Sequence, residues 1–211
     1  MSINTQTMPL KTPILDPTRS SLPIGIPEPS SVEKSKFESL LNKVQSWKEI
    51  PSNKGKHGPV TQDEKFWLTR ECLLRYLRAT KWNLAESEKR LLSTLTWRRD
   101  YGISDITANY ISSENETGKQ VIMGYDNLAR PCLYMFPGRQ NSLPGPKQVQ
   151  HVVYMMERVI DLMVPGQEKV TILIDFKSSA SSMPNIGQAR EILDIIQTHY
   201  PERLGMASIQ N

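Results

Sequence analysis

The sequence has few cysteines, no long apolar run and no leader-like start, and each absence narrows what the protein can be. Only two of its 211 residues are cysteines, Cys72 in a helical pattern and Cys132 in a strand pattern, so a disulfide framework is not expected. The longest apolar runs, such as residues 170–174, fall far below the roughly 20 residues that cross a bilayer. Residues 1–10 carry no basic cluster followed by an apolar stretch, which argues against a secretory signal. We therefore expect a cytosolic protein.

The sequence also lacks the motifs of common enzymes. It has no glycine-rich phosphate loop, no nucleophile elbow and no His-Glu-x-x-His pair. Its three histidines are interpreted as structural or solvated. Asp161, Asp175 and Asp194 would suit acid–base chemistry, but polar neighbours and the end of a strand favour ordinary structural roles for them. We predict no enzyme activity, no catalytic residue, no metal site and no cofactor.

The net charge of the chain is only weak evidence for an anionic binding partner. A formal net charge of +4 is compatible with attraction to anionic membranes or to nucleic acid. Basic and acidic residues alternate along most of the chain, however, and no basic run is interleaved with aromatic residues. Nucleic-acid binding is therefore not expected.

The first part of the chain changes from a proline-rich tail to helical patterns. Residues 1–31 contain six prolines with little apolar periodicity, which favours a disordered tail. A short helix is predicted to begin near Ser31 and to end before Pro51. Residues 51–59, rich in glycine, proline and lysine, predict a linker.

The next segment predicts two amphipathic helices. The first covers residues 61–79 and places Glu71 and Arg75 as an i,i+4 pair on an exposed face. The second begins at Asn83, where Glu86 stands at the capping-box position, and it ends at Gly102. Two such helices need a larger body to pack against, so they are interpreted as a helical module.

The remainder alternates between strand and helix patterns, which predicts an α/β domain. A hairpin, a long helix, a buried strand and a second helix follow in order, and this order implies a sheet with crossover helices. The predicted elements are strands at residues 120–125 and 131–136, a helix at 144–163, a strand at 169–175 and a helix at 186–199. The predicted division is a disordered tail at 1–31, a short helix and linker at 32–60, the helical module at 61–105 and the α/β domain at 106–211.

We expect the sheet to remain incomplete at the end of the chain. A crossover helix normally delivers another strand, but residues 205–211 are judged too short to supply one. Without that strand, apolar side chains would lose their cover, and the chain would aggregate easily. The side chains concerned are Ile172, Ile174, Ile192 and Ile196.

A few residues suggest a binding role, but each can also be explained by an ordinary structural role. Lys81 follows the first helix of the module, where a cation also compensates the helix dipole. Tyr134, Met155 and Met156 would suit an adaptable apolar cavity, yet at this spacing such residues more often belong to an ordinary core. Composition and spacing alone leave the function open.

Three motifs together resemble the CRAL-TRIO family. They are residues 66–82 (FWLTRECLLRYLRATKW), 97–103 (WRRDYGI) and 198–205 (THYPERLG). The segments at 116–122, 137–141 and 173–177 bring the resemblance closer to the fungal phosphatidylinositol transfer proteins associated with pleiotropic drug resistance and sterol homeostasis. The resemblance covers about residues 64–205.

The resemblance implies a helical N-terminal module packed on an α/β lipid-binding domain with a mixed sheet, whose cavity holds one phospholipid. In the family, a lysine after the first long helix and the glutamate of a Tyr-Pro-Glu-Arg motif hold the headgroup, and these positions are Lys81 and Glu202 here. Lysine would neutralise the phosphate, and glutamate would accept hydrogen bonds from inositol hydroxyls. Tyr134, Met155 and Met156 are the candidate lining of the acyl cavity. Leu133 replaces a tyrosine of relatives that also carry phosphatidylcholine, so choline recognition is not expected.

The family continues after the Tyr-Pro-Glu-Arg motif with a further strand, a gating helix and a second basic headgroup residue, whereas this chain reads MASIQN at residues 206–211. We interpret the chain as a C-terminally truncated family member. The expected function is phosphatidylinositol binding and intermembrane phospholipid transfer in lipid homeostasis, carried out by a monomer. A sterol is a candidate second ligand. Transfer would take place during transient contact of the protein with membranes or lipid droplets. The alternative is a module that docks on a membrane or a lipid kinase without transferring lipid.

Overall fold

The computed structural model of the chain describes residues 12–177 and 186–210. Residues 12–30 form neither helix nor strand, in agreement with their proline content. They nevertheless contact the body of the protein, because the Tyr125 hydroxyl donates to the Leu15 carbonyl at 2.6 Å. For residues 1–11, which lie outside the described residues, the predicted disorder stays a prediction.

Helix α1 spans Ser31–Ser46 and begins where the sequence predicts. Ser30 and Glu33 form a capping box, in which the Ser30 hydroxyl accepts from the Glu33 amide and the Glu33 carboxylate accepts from the Ser30 amide at 2.8 Å. The segment predicted as a linker contains a small antiparallel hairpin of strands β1 (Glu49–Ile50) and β2 (Gly58–Pro59). The linker is therefore partly ordered.

Three further helices build the helical module: α2 (Gln62–Trp67), α3 (Arg70–Ala79) and α4 (Leu84–Tyr101). The single helix predicted over residues 61–79 is wrong, because the Thr69 hydroxyl accepts from the Cys72 amide at 3.1 Å and begins a new helix. Asn83 caps α4 as predicted. Gly102 ends α4 in the left-handed conformation with φ 75°, which glycine adopts without steric cost.

The apolar faces of α1, α3 and α4 meet in one core. Burying each large apolar side chain there stabilises the fold by about 1.5–3 kcal/mol. Helix α1 thus packs into the same core as α3 and α4. The buried residues are Leu40, Val44, Cys72, Leu73, Tyr76, Leu77 and Leu91.

The predicted pairing of Glu71 with Arg75 on α3 is wrong. Glu71 is exposed, whereas Arg75 is only 5% exposed. Arg75 forms no ion pair with any residue in the part of the chain that the structure describes. The helix turns Arg75 towards the α/β domain, so the two side chains do not meet.

The α/β domain contains a mixed sheet, as predicted, and this sheet has four strands. The strands are β3 (Gln120–Tyr125), β4 (Pro131–Met135), β5 (Val170–Asp175) and β6 (Leu204–Gln210). They are adjacent in chain order, with β3 and β4 antiparallel and the other two pairs parallel. Three helices accompany the sheet: α5 (Ala108–Asn115), which the sequence analysis missed, α6 (Pro146–Asp161) and α7 (Ile186–His199).

The domain core lies between the sheet and the crossover helices α6 and α7. On β4, Leu133 is fully buried and packs with α6 residues such as Val153 and Met156. On α7, Ile195 is buried, whereas Leu193 is 55% exposed. Within residues 12–177 and 186–210, no helix is long and apolar enough to cross a bilayer.

The expectation that no further strand follows α7 is wrong. Strand β6 has seven residues and pairs with β5 along its length, from the Val170–Leu204 pair to the Asp175–Gln210 pair. Parallel pairing depends on backbone groups, so β6 forms although its sequence contains small and polar residues. Ile172 is buried as a result, while Ile174, Ile192 and Ile196 are partly buried. The exposed apolar side chains lie instead on β6 itself: Leu204, Met206 and Ile209.

Candidate functional site

Lys81 lies on the short turn between α3 and α4. The Trp82 amide donates to the Leu77 carbonyl at 2.7 Å, and the Lys81 amide donates to the Arg78 carbonyl at 3.0 Å. These bonds hold Lys81 and Trp82 at positive φ values of 52° and 61°. The Lys81 side chain is exposed and forms no hydrogen bond or ion pair with a described residue. The turn therefore presents a free ammonium group on a fixed backbone.

Glu202 occupies a similar position on the turn between α7 and β6. Its φ is 60°, and its carboxylate is exposed without a hydrogen bond or ion pair to any residue of the described ranges. The preceding Tyr200 fixes this turn, because it is buried and its hydroxyl donates to Glu157 Oε1 at 2.7 Å. An unpaired carboxylate thus stands on an anchored turn.

Left-handed backbone is unusual outside glycine and costs about 1–3 kcal/mol for each residue. Among the described residues, the non-glycine positions with positive φ are Lys81, Trp82, Ala129 and Glu202. Three of these four lie on the two turns that carry the predicted headgroup residues. Such strain concentrates at functional sites, so the backbone supports a functional role for both turns.

One acidic residue links the two turns. The Glu168 carboxylate pairs with Arg78, three residues before Lys81. The Glu168 carbonyl accepts from Arg203 Nη1 at 3.0 Å, next to Glu202. The structure therefore brings the two segments to a common neighbour, although the Lys81 and Glu202 side chains themselves make no hydrogen bond or ion pair with each other.

The predicted acyl-lining residues do not share one surface. Met155 and Met156 are buried in the core between α6 and the sheet. Leu133 faces that core, and side chains alternate along a strand, so Tyr134 points to the opposite face of the sheet. The Tyr134 ring lies parallel to the ring of Phe136, two residues further on, with the centroids 6.4 Å apart. The two methionines are thus together, and Tyr134 lies apart from them.

A cleft of about 360 Å³ opens where β4 ends, between the sheet and helices α6 and α7. Met135, Val152 and Ile192 supply apolar wall, and Gln120 and Gln148 supply amide groups. The cleft lies on the same side of the sheet as the core methionines. Sequence reasoning missed it, because its walls come from segments that are far apart in the chain.

A buried polar network lies next to this cleft and shares Lys119 and Gln120 with its lining. The Lys119 ammonium pairs with the Glu114 carboxylate, and both side chains are 5% exposed. The fully buried His151 ring contacts the Gln120 amide and the Asn115 side chain, each at 3.3 Å. Burial lowers the pKa of His151 to about 4, and the nearby Lys119 charge adds to this effect. Its neutral form is therefore favoured at pH 7, and the ring is buried rather than solvated.

A second buried ion pair joins the helical module to the α/β domain. Arg98 Nη1 and Nη2 donate to the two carboxylate oxygens of Glu157 at 2.7 and 2.8 Å. Burial alone would raise the pKa of Glu157, but the hydrogen bonds and charge of Arg98 outweigh it and hold the pKa below its usual range. This pair fixes α4 against α6, near the Tyr200 turn.

Two of the other polar candidates make short local contacts. Asp161 pairs with Arg158 at 3.0 Å, and Asp175 accepts from the Lys177 amide at 2.8 Å. Asp194 is exposed on α7. Within the described ranges, no group of three or more His, Cys, Asp or Glu side chains is placed to hold a metal ion.

A helical module packed on a mixed sheet with two crossover helices is the architecture that the sequence motifs imply, and comparison with known families gives the class. The chain belongs to the CRAL-TRIO family: the CRAL/TRIO domain matches residues 115–211, and the CRAL/TRIO N-terminal domain matches residues 36–93.

Two curated relatives are fungal. The chain is 48% identical over 185 residues to a CRAL-TRIO domain-containing protein of Schizosaccharomyces pombe, covering 86% of this chain and 18% of that protein. It is 42% identical over 220 residues to the phosphatidylinositol transfer protein PDR17 of Saccharomyces cerevisiae, covering 93% of this chain and 63% of PDR17. The chain therefore spans less than two thirds of either relative.

The fold also resembles a solved structure. The crystal structure of Sfh5 matches with a TM-score of 0.56 at 16% identity, covering 87% of this chain and 72% of Sfh5. At this identity the likeness supports the fold alone.

Proposed function

We propose that the protein binds phosphatidylinositol and transfers it between membranes as part of lipid homeostasis. The observation that carries this proposal is the pair of unpaired, opposite charges on Lys81 and Glu202, which stand on two fixed turns linked through Glu168. The similarity to a phosphatidylinositol transfer protein supports the choice of lipid.

The two side chains suit complementary parts of an inositol phosphate headgroup. An ammonium group neutralises phosphate and donates up to three hydrogen bonds, and a carboxylate accepts hydrogen bonds from hydroxyls. Both side chains start free of protein partners, so binding breaks no existing ion pair. No covalent bond changes in this exchange, and the activity proposed is transfer rather than catalysis.

The acyl chains require an apolar site, since each buried CH₂ contributes about 0.8 kcal/mol. We propose that they enter the cleft at Val152 and extend towards Met155 and Met156, which lie three and four residues further along the same face of α6. Methionine adapts well to irregular space and would tolerate the rearrangement of core contacts. Tyr134 is left out of this site because it lies on the other face of the sheet.

Lipid analysis of the purified chain tests the proposal. Phosphatidylinositol should copurify stoichiometrically with the unmodified protein, and a Lys81→Ala, Glu202→Ala double variant should lose it while remaining folded. A Lys89→Ala, Glu191→Ala variant is a matched control, because it removes the same charges from exposed positions elsewhere. Retention of lipid by the first variant would refute the assignment of the headgroup site.

A second function, docking on a membrane or a lipid kinase without lipid transfer, is favoured by one observation. Strand β6 forms an edge of the sheet and exposes Leu204, Met206 and Ile209. Exposed strand edges and apolar patches are frequent sites of association. A folded, lipid-free monomer that sediments with vesicles would support docking, whereas stoichiometric bound lipid supports transfer.

The setting of this activity is part of the proposal. We propose a cytosolic monomer that contacts membrane surfaces or lipid droplets transiently, with a sterol as a candidate second ligand. Cell fractionation, together with sterol competition against bound phosphatidylinositol, tests these points.

A further inference from the structure

Arg75 of α3 is a buried arginine at the junction of the two domains. Arg75 is 5% exposed, and its guanidinium makes no hydrogen bond or ion pair with any residue in 12–177 or 186–210. Its Nε is fully buried without a partner. Charged side chains that are buried in proteins are nearly always paired, because an unpaired charge loses its hydration without compensation. Arg75 therefore lacks the partner that its burial requires.

Arg203 places a second guanidinium in the same region. Its Nη1 donates to the Glu168 carbonyl at 3.0 Å and to the Met163 sulfur at 3.2 Å, and neither acceptor carries a charge. Burial lowers the pKa of Arg203 to about 10, and the positive charge of Arg75 adds to the effect. Two arginines without a carboxylate partner thus lie close enough to repel each other.

Both arginines line a cavity of about 430 Å³ at the junction of the two domains. Helices α2, α3, α4 and α6 and the segment 199–203 form its walls. Tyr76 closes one side, where its hydroxyl donates to the His199 carbonyl at 3.4 Å. Neither Lys81 nor Glu202 lines this cavity, so it is separate from the headgroup site proposed above.

The acidic residues of the cavity do not neutralise the two arginines. Glu157 is bound by both nitrogens of Arg98, and Asp161 pairs with Arg158. Asp63 is exposed on α2, where water and salt screen its charge. The enclosed part of the cavity therefore keeps an excess of positive charge.

We propose that this cavity binds a phosphate group between Arg75 and Arg203. Guanidinium groups bind phosphate oxygens in pairs through parallel hydrogen bonds, and two of them match the charge of a phosphate monoester. A bound phosphate would touch both domains and would give the buried Nε of Arg75 its missing acceptor. The phosphate is either free in solution or carried by a lipid headgroup. The proposal does not rest on phosphatidylinositol transfer, since it requires neither Lys81 nor Glu202. Arg203 also helps to hold the Glu202 turn through Glu168, so Arg75, which has no part in that contact, gives the independent test.

Inorganic phosphate is the first probe. Calorimetry and thermal unfolding of the full chain should show saturable binding of sodium phosphate, beyond the effect of sodium chloride at equal ionic strength. Arg75→Met should weaken this binding at least about tenfold, because hydrogen bonds between charged groups are lost. It should also raise the unfolding midpoint of the phosphate-free protein, because an unpaired buried charge is removed. Arg190→Met is the matched control, since Arg190 is exposed on α7, and it should leave both quantities unchanged.

A second variant and a second probe complete the test. Arg203→Met should weaken phosphate binding in the same way, so the conclusion does not depend on one substitution. Phosphatidylcholine vesicles with and without phosphatidylinositol 4-phosphate test the lipid-borne source. If the protein sediments with the vesicles that contain phosphatidylinositol 4-phosphate, and if this requires both arginines, the phosphate is carried by a lipid. If the protein binds only inorganic phosphate, the phosphate is a soluble ion. If neither probe binds, or if both variants bind as well as the unmodified protein, the site does not exist.

Discussion

The inner face of helix α4 and the two turns that follow α3 and α7 carry similar charged residues but use them differently. On α4, Arg98 and Arg99 are each bound to a carboxylate through two nitrogens, and both side chains are largely buried. On the turns, Lys81 and Glu202 are exposed and pair with no residue that the structure describes.

This difference separates charges that build the fold from charges that are free to bind. A buried charge that loses its partner costs several kcal/mol, so the pairs on α4 cannot be broken to accommodate a ligand. An exposed charge on a strained turn contributes little to the stability of the fold, so it is free to pair with a group of a bound ligand. Arg75 combines features of both regions, because it is buried and unpaired, and this is why it points to a ligand.

The largest expected effect comes from breaking the Arg98–Glu157 pair. Glu157→Ala would leave Arg98 buried without its carboxylate and would remove the acceptor of the Tyr200 hydroxyl. We expect the free energy of unfolding to fall by about 3–5 kcal/mol, measured by urea denaturation. The control Glu191→Ala, at an exposed position, should change it by less than about 0.5 kcal/mol. Equal effects of the two substitutions would contradict the structural role of the pair.

A slightly smaller loss of unfolding free energy is expected from a substitution of Arg99, which also lies on α4. It donates to Glu64 and to four backbone carbonyls, those of Ile50, Lys56, Gly58 and Pro59. Arg99→Lys keeps the charge but cannot form this fork, so we expect a loss of about 2–3 kcal/mol in unfolding free energy. Hydrogen exchange should also become faster at the β1–β2 hairpin. Arg190→Lys on the surface should have no measurable effect.

The buried His151 makes stability depend on pH. Its pKa is lowered from 6.5 to about 4 in the folded protein, so between these values the unfolded chain binds a proton that the folded chain does not. Its contribution is therefore complete above pH 6.5 and is lost as the pH falls. From pH 7 to pH 5 the loss should be about 2 kcal/mol.

Urea denaturation at both pH values measures this loss. His199, whose pKa burial also lowers to about 4, adds a similar dependence, so His151→Gln should remove about half of the total. A pH dependence that is the same with and without His151 would show that this ring is not neutral in the folded state.

Signals that are local in the sequence predicted the fold well. Ser30, Asn83 and Gly102 set helix ends through their own hydrogen bonds and backbone angles, and these signals require no tertiary contact. The alternation of strand and helix patterns also predicted a sheet with crossover helices. The break at Thr69 was missed because the apolar spacing continues across it, although threonine followed by a helical run is itself a capping signal.

Features that depend on distant contacts were predicted poorly. Strand β6 forms because β5 offers a long backbone edge, which residues 204–210 do not reveal by themselves. Arg75 was assigned to an exposed ion pair, since helical spacing cannot show that a second domain covers this face. Lys81 and Glu202 were found through family motifs, and their strained backbone and lack of partners are visible only in the structure.

The smallest expected effect on stability belongs to the residues with the largest proposed effect on function. Neither Lys81 nor Glu202 makes a side-chain contact with a described residue that folding depends on, so each substitution to alanine should change the unfolding free energy by less than about 0.5 kcal/mol. Phosphatidylinositol transfer between vesicles should nevertheless fall at least about tenfold, because in the proposed site each residue would supply a charge-assisted hydrogen bond to the headgroup. Destabilisation comparable to that of Glu157→Ala would show instead that these turns, like α4, use their charges to build the fold.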